Sequence, residues 1–167
     1  EIRTPLSGVI GLNNLLLDTE LTDEQRHFIE LAEQSGETLL RLINDLLDVS
    51  KIEAGRLELE HLPFNARGLM DEVLRLTHVQ TRQKGLGLRD EIDIPEQLRG
   101  DGARLRQILT NLLGNAVKFT AQGEITLRCR VLETQPETVW LRFEVSDTRI
   151  VIAPEIQARL FEPFTQA

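Results

Sequence analysis

The chain has 167 residues, of which 41% are hydrophobic and 28% charged, which is the composition of a globular protein and not of a disordered segment. Its net charge of −8, with basic residues scattered among acidic ones, argues against a nucleic-acid partner, because phosphate binding needs a concentrated basic face. No apolar run reaches the roughly 18 residues of a membrane helix, so we expect no membrane contact from this fragment.

Two helices are predicted in the first fifty residues. Apolar side chains recur every three or four positions over residues 6–17, which is the period of one helical face. A capping box follows at Thr22-Asp-Glu-Gln25, in which the threonine hydroxyl accepts from the backbone three residues on and the glutamine reaches back. A second, longer helix therefore begins after Thr22, runs to about Ile52 and ends at Gly55.

The long helix carries an apolar stripe that one short helix cannot cover. Its members advance by three or four residues, close to a heptad pattern: Phe28, Leu31, Ser35, Leu39, Leu42, Leu46 and Val49. A four-helix bundle formed by dimerisation is the natural solution, and packing of the helical hairpin on its own C-terminal domain is the alternative. Because the pattern changes after the long helix, we place a dimerisation hairpin in residues 1–54 and a second domain in residues 55–167.

The second domain alternates short strands with helices. The predicted elements are a strand at 57–60, a helix capped by Asn65 that runs to about Arg82, a strand at 86–92, a helix at about 103–119, strands at 123–132 and 139–145, and a helix that starts at Pro154. The last two strands form a hairpin across a polar turn. This order predicts an α/β sandwich with the helices on one face of a sheet.

The helix predicted at about 103–119 carries a polar cluster. Asn111 and Asn115 are four residues apart and Lys118 follows three later, so the three side chains lie on one helical face. Amide oxygens suit the hard Mg²⁺ ion, and a lysine beside them places a positive charge on the phosphates that such an ion bridges. The alternative is that these residues only occupy the solvated side of an amphipathic helix.

Three blocks of the sequence together resemble the catalytic core of bacterial sensor histidine kinases, in particular hybrid kinases of the GacS and BarA type. The start, Glu1-Ile-Arg-Thr-Pro-Leu6, is similar to the tail of the phosphoacceptor motif, Asn111–Thr120 to the N box, and Phe161–Phe164 to the F box. The resemblance covers essentially the whole chain. It implies an α+β fold: an antiparallel helical hairpin that dimerises to a four-helix bundle, followed by an α/β sandwich ATPase-like domain of the histidine-kinase type, truncated at its C-terminus.

The same resemblance implies ATP and Mg²⁺ as cofactors. It makes Asn115 the principal magnesium ligand, with Asn111 supporting that site and Lys118 facing phosphate. Asp147, at the end of a predicted strand, resembles the aspartate that accepts the adenine amino group. These four residues are therefore the candidate nucleotide site.

At the start of the chain the resemblance implies roles in phosphate transfer. Glu1 resembles the acidic residue beside the phosphoacceptor histidine, which would directly precede it, and a carboxylate there can orient or deprotonate the imidazole. Thr4 resembles the residue that positions a water for phosphatase action on a response regulator. The implied partners are a second copy or a related histidine kinase, and a response regulator or receiver domain. The implied location is the cytoplasmic portion of a bacterial inner-membrane sensor.

Two residues depart from the family pattern. The resemblance expects glycine where this chain has Arg149 and Val151, in a turn that brings the backbone close to the nucleotide. Valine disfavours positive φ, and residue strain of that sort costs on the order of 1–3 kcal/mol. We therefore expect ATP binding to be weak or lost, although Arg149 could instead turn outward and pair with phosphate.

Two functions remain under consideration. The main hypothesis is a sensor histidine kinase core with a degenerate nucleotide-binding turn, which regulates two-component signalling by dimerising with another kinase, in the manner of RetS-type regulators. The alternative is a conventional, active ATP-dependent histidine kinase and phosphatase. A chaperone or topoisomerase domain of the same ATPase superfamily is disfavoured, because those proteins carry no helical hairpin with Glu-x-x-Thr-Pro upstream.

Overall fold

The computed structural model of the protein describes residues 3–148. The chain divides into two compact units, one up to Glu58 and one from Leu59 onward. Within the described residues, no helix is both long and apolar enough to cross a membrane. Outside them lie several features singled out above: Glu1, Arg149, Val151, the predicted helix from Pro154 and the block Phe161–Phe164.

The first unit is a helical hairpin of α1 (Arg3–Leu17) and α2 (Asp23–Glu53). The predicted capping box is present, because Gln25 N donates to Thr22 Oγ1 at 3.2 Å and Thr22 N donates to Gln25 Oε1 at 3.0 Å. At the other end, Gly55 adopts a φ of 63°, a left-handed conformation that ends the helix without a Cβ penalty. Both predicted boundaries of the long helix are therefore confirmed.

The two helices of the hairpin approach each other closely at Gly36, which is buried in α2. A Cβ atom added to Gly36 would lie 3.0 Å from Ile10 Cγ1 and 3.9 Å from Leu6 Cδ1. The 3.0 Å separation from Ile10 is tighter than ordinary van der Waals contact, so the absence of a side chain at Gly36 allows α1 to pack against α2 at this point.

The second unit is an α/β structure with two small sheets. Its elements, in chain order, are β1 (Leu62–Asn65), α3 (Ala66–Lys84), β2 (Gly87–Asp93), β3 (Gln97–Gly100), α4 (Gly102–Phe119), β4 (Glu124–Thr134) and β5 (Val139–Asp147). In the larger sheet, β4 is central, with β2 parallel on one side and β5 antiparallel on the other. The parallel pair is joined by a connection that contains α4, as a parallel crossover requires. The smaller sheet pairs β1 with β3 antiparallel.

Two details of the predicted strands were wrong. The alternating stretch Leu57–Glu60 forms no strand, and the first strand instead comes at Leu62–Asn65. Strand β3 was not predicted, because its four residues contain a single apolar side chain and so show no alternation of apolar and polar residues. The two errors have one cause. Strands β1 and β3 pair with each other, with Phe64 opposite Leu98. A pairing between distant segments leaves no alternating pattern within either segment, so the sequence pattern could not predict it.

The core of the second unit lies between the two helices and one face of the larger sheet. Its buried members come from α3, α4, β4 and one connecting residue: Leu69, Met70, Val73, Leu86, Leu109, Leu113, Ala116, Val117, Ile125, Leu127 and Cys129. Burial raises the pKa of the Cys129 thiol to about 11, so this side chain is a protonated core residue. The helices therefore cover one face of the sheet, which confirms the predicted sandwich.

Candidate functional site

The candidate magnesium and phosphate residues lie on one exposed side of α4, which we call the polar face of α4: Asn111, Asn115 and Lys118. The opposite side of the helix is fixed by burial, since Leu109 and Leu113 are both 0% exposed. Because residues four and seven apart share a helical side, burying the leucine stripe turns the two asparagines and the lysine outward.

The N-terminal end of α4 is held by a charged cap. Asp101 accepts a hydrogen bond from Arg104 N at 2.9 Å, and a second from Glu60 N at 3.2 Å. The hydrogen bond from the Arg104 amide, supported by that from Glu60, lowers the pKa of the Asp101 carboxyl below its ordinary value. Asp101 thus caps the helix and ties it to the segment that precedes β1.

A lysine from the neighbouring helix holds the C-terminal end of α4. Lys84, the last residue of α3, donates from Nζ to Val117 O at 2.8 Å and to Lys118 O at 3.2 Å. These carbonyls have no partner within the helix itself, and a cation is also favoured at this end of the helix dipole. Lys118 directs its own ammonium group over the ring of Phe119, 5.0 Å from the ring centroid. Sequence reasoning missed Lys84, for which the only local signal is its position before the helix-ending Gly85.

The candidate adenine acceptor lies at the end of a strand. Asp147 is the last residue of β5, is half-buried, and stands opposite the fully buried Ile125 in the β4–β5 pair. Strand β5 also contacts α4. The structure therefore brings the strand that ends at Asp147 against the helix that carries the polar face. Thr4 is exposed in α1, in the other compact unit.

The chemistry of the polar face fits a magnesium ion that arrives with nucleotide phosphates. Asn111 and Asn115 supply neutral amide oxygens, and Lys118 supplies the charge for phosphate. Across residues 3–148, no three or more His, Cys, Asp or Glu side chains are grouped so that they could hold a metal ion. The described residues therefore fit a metal held partly by phosphate oxygens and do not fit an all-protein cage.

The hairpin presents a second candidate surface. Large apolar residues of α2 are exposed along one side, and we call them the hairpin stripe: Phe28, Leu31, Leu39, Leu42 and Leu46. Leu42 is 60% exposed, and Leu12 of α1 is 62% exposed. An exposed apolar strip of this length marks an interaction surface in a soluble protein.

Comparison with known families matches two parts of the chain. Residues 1–55 match the His Kinase A (phospho-acceptor) domain, and residues 100–167 match the histidine kinase-, DNA gyrase B- and HSP90-like ATPase.

Relatives match over the whole chain. The histidine-protein kinase BarA of Escherichia coli strain K12 is 46% identical over 169 residues, covering 100% of this chain and 18% of BarA. The hybrid signal transduction histidine kinase L of Dictyostelium discoideum is 43% identical, covering 100% of this chain and 10% of the relative. Among solved structures, full-length ShkA in complex with AMPPNP superposes with a TM-score of 0.77 at 38% identity, over 99% of this chain and 35% of that one. The chain therefore spans less than a fifth of the length of these two curated relatives.

Proposed function

The chain carries the phospho-acceptor and ATPase domains of a hybrid sensor histidine kinase core, and from that premise we propose that it regulates two-component signalling chiefly through its helical hairpin, with a degenerate nucleotide site. In this proposal the hairpin pairs with a second copy or with a related kinase, as in RetS-type regulators. It thereby withholds that kinase's phosphate from a response regulator or receiver domain. We place the whole protein at a bacterial inner membrane, with this part on the cytoplasmic side.

The observation that carries this proposal is the exposed hairpin stripe. Five large apolar side chains on one side of α2 remain 46–60% exposed within a single chain. A second helical hairpin would cover them in the geometry of a four-helix bundle, in which apolar seams of this spacing are buried. The capping box and the close packing at Gly36 stabilise the hairpin conformation that such a partner would bind.

The nucleotide site supports the second half of the proposal. In this proposal the polar face of α4 and Asp147 are the groups that would contact magnesium, phosphate and adenine, as the family resemblance implies, and ShkA was solved with the ATP analogue AMPPNP. Arg149 and Val151 stand where that resemblance expects glycine. Strain on the order of 1–3 kcal/mol at each position would weaken ATP binding by roughly fivefold to a hundredfold per residue.

Calorimetric titration with Mg-ATP tests this proposal directly. The unaltered chain should bind Mg-ATP with a Kd above about 1 mM, and the double variant Arg149→Gly/Val151→Gly should gain at least about thirtyfold in affinity. Micromolar binding with Arg149 and Val151 in place would overturn the degenerate site. A matched control is Arg142→Gly/Val139→Gly, which makes the same two replacements on β5 away from the turn and should gain nothing.

A conventional active kinase is the second candidate. It is favoured by the 46% identity with BarA along the whole chain and by the complete polar face of α4. Transfer of labelled phosphate from ATP to histidine in the full-length protein separates the two candidates. Label on the protein with Arg149 and Val151 present would establish the active kinase, whereas label only after both are changed to glycine would support the regulatory role.

A further inference from the structure

Several elements of the second unit meet at the turn between α4 and β4. Gln122 and Gly123 form this turn, two residues after the buried Thr120 that ends α4. Gly123 O accepts from Gly87 N at 2.9 Å, which ties the start of β2 to the turn. This short turn therefore connects α4, the helix of the polar face, with the start of the larger sheet.

Thr148 joins the end of β5 to the same turn. Its hydroxyl Oγ1 donates to Gln122 O at 2.9 Å and lies 3.4 Å from Glu124 N, from which it accepts. Gly123 has a φ of 109°, and a Cβ atom added there would overlap Thr148 Oγ1. Glycine at 123 thus serves two needs, a backbone conformation that other residues rarely adopt and the space for the threonine hydroxyl.

We propose that Thr148 is a positioning residue that fixes Asp147 relative to the polar face of α4, an arrangement that serves adenine recognition once the glycines of the turn are restored. This inference rests on the proposed function, in which Asp147 accepts the adenine amino group. Asp147 directly precedes Thr148, and on the strand side it stands opposite the buried Ile125. The Thr148 hydroxyl holds the chain on the other side, so the backbone that carries Asp147 is held on both sides.

The first test measures how well the site tells adenine from guanine. Affinities for Mg-ATP and Mg-GTP are measured in the Arg149→Gly/Val151→Gly background, with and without Thr148→Val. Valine keeps the shape of threonine and removes the hydroxyl with both of its hydrogen bonds, so ATP binding should weaken by about threefold to tenfold. GTP presents a carbonyl where ATP presents the amino group, so its affinity should change less and the preference for ATP should shrink.

Two further variants separate positioning from general stability. Thr148→Ser keeps the hydroxyl and should restore both the ATP affinity and the preference over GTP. Thr138→Val removes a hydroxyl at the far end of the same β4–β5 hairpin and should leave both unchanged. Equal weakening of ATP and GTP by Thr148→Val, or failure of the serine variant to restore the preference, would overturn the proposal.

Hydrogen exchange supplies a measurement that needs no nucleotide. In a chain that keeps Arg149 and Val151, Thr148→Val should speed amide exchange at residues 145–148 and 123–126 several-fold, whereas Thr148→Ser and Thr138→Val should not. If Arg149→Gly/Val151→Gly gains no ATP binding, the account of the degenerate turn fails, and exchange alone decides on Thr148. Unchanged exchange in Thr148→Val would overturn its positioning role in either case.

Discussion

The two compact units of the chain differ in how far their apolar side chains are buried. In the α/β unit, Met70, Leu109 and Leu127 are all 0% exposed and enclosed between helices and sheet. In the hairpin, Leu12 and Leu42 are 62% and 60% exposed. The α/β unit therefore owes its stability to its own core, whereas the hairpin leaves much of its apolar surface exposed within a single chain. The contrast supports our proposal that partner binding lies in the hairpin and nucleotide binding in the α/β unit.

Matched leucine truncations give the largest expected difference between the units. Leu109→Ala removes a fully buried side chain and should lower the free energy of unfolding of the α/β unit by about 2–5 kcal/mol. Leu42→Ala changes an exposed side chain and should alter the stability of an isolated hairpin by less than about 0.5 kcal/mol. Urea unfolding would be followed by the fluorescence of Trp140, the single tryptophan, and by circular dichroism for the helices. Equal losses of unfolding free energy in the two variants would show that the two units do not differ in how their leucines contribute to stability.

Charges on the hairpin stripe should abolish self-association. Leu39→Glu/Leu42→Glu would bury two unpaired carboxylates in the proposed bundle and should weaken the dimer by at least about a hundredfold. Gln34→Glu/Arg41→Glu introduces the same two groups at exposed positions of α2 outside the stripe and is the control. Sedimentation across a range of protein concentrations measures the dimer affinity of both variants. A dimer that survives the stripe variant would show that the stripe is not the interface.

The close contact at Gly36 offers a milder way to disturb the hairpin alone. Gly36→Val would force a side chain against Ile10, whose Cγ1 lies 3.0 Å from the added Cβ, and overpacking of this kind costs about 1–3 kcal/mol. Gly11→Val is the matched control, because a Cβ at Gly11 meets nothing within 4 Å. Helical circular dichroism should show a lower melting temperature for Gly36→Val only. The fluorescence transition of Trp140 should not move, and a shift in it would mean that the units do not respond separately.

The features of this structure that we could predict from the sequence were local ones. Thr22 and Asn65 cap α2 and α3 as expected, and Asn65 Oδ1 accepts from Gly68 N at 2.6 Å. A cap is settled within four residues of chain, and a helical period within a few turns. The polar face of α4 was predictable for the same reason, because Asn111 and Asn115 lie one turn apart.

Contacts between distant parts of the chain were missed. Strands β1 and β3 pair across more than thirty residues, so neither strand could be placed accurately from its own few residues. Lys84 reaches carbonyls 33 and 34 residues away, and Thr148 bonds to Gln122, 26 residues before it. These contacts that hold the candidate site join residues far apart in the sequence, whereas the polar face of α4 lies within a single helix.

The helix caps extend the comparison to pH, with the smallest expected effect. The hairpin helix α2 is capped by the Thr22 hydroxyl, which does not titrate, whereas α4 is capped by the Asp101 carboxylate. The hydrogen bond from Arg104 N lowers the pKa of Asp101 below the ordinary aspartate value of 3.8. A carboxyl whose pKa is lowered by folding stabilises the folded state above its unfolded pKa, and loses that contribution as the pH falls through the folded pKa.

We therefore expect the urea midpoint of the α/β unit, followed by Trp140, to fall as the pH is lowered through 3.8 and below. Asp101→Asn keeps an oxygen that can cap the helix but removes the titration, so its midpoint should fall less steeply. Thr22→Asn is the control in the other unit and should leave the pH dependence of the α/β unit unchanged. Parallel curves for the unaltered chain and Asp101→Asn would show that other carboxyl groups carry the acid sensitivity. A shallower curve for Asp101→Asn would mean that the helix with the polar face depends on a charged cap, while the hairpin helix depends on a neutral one.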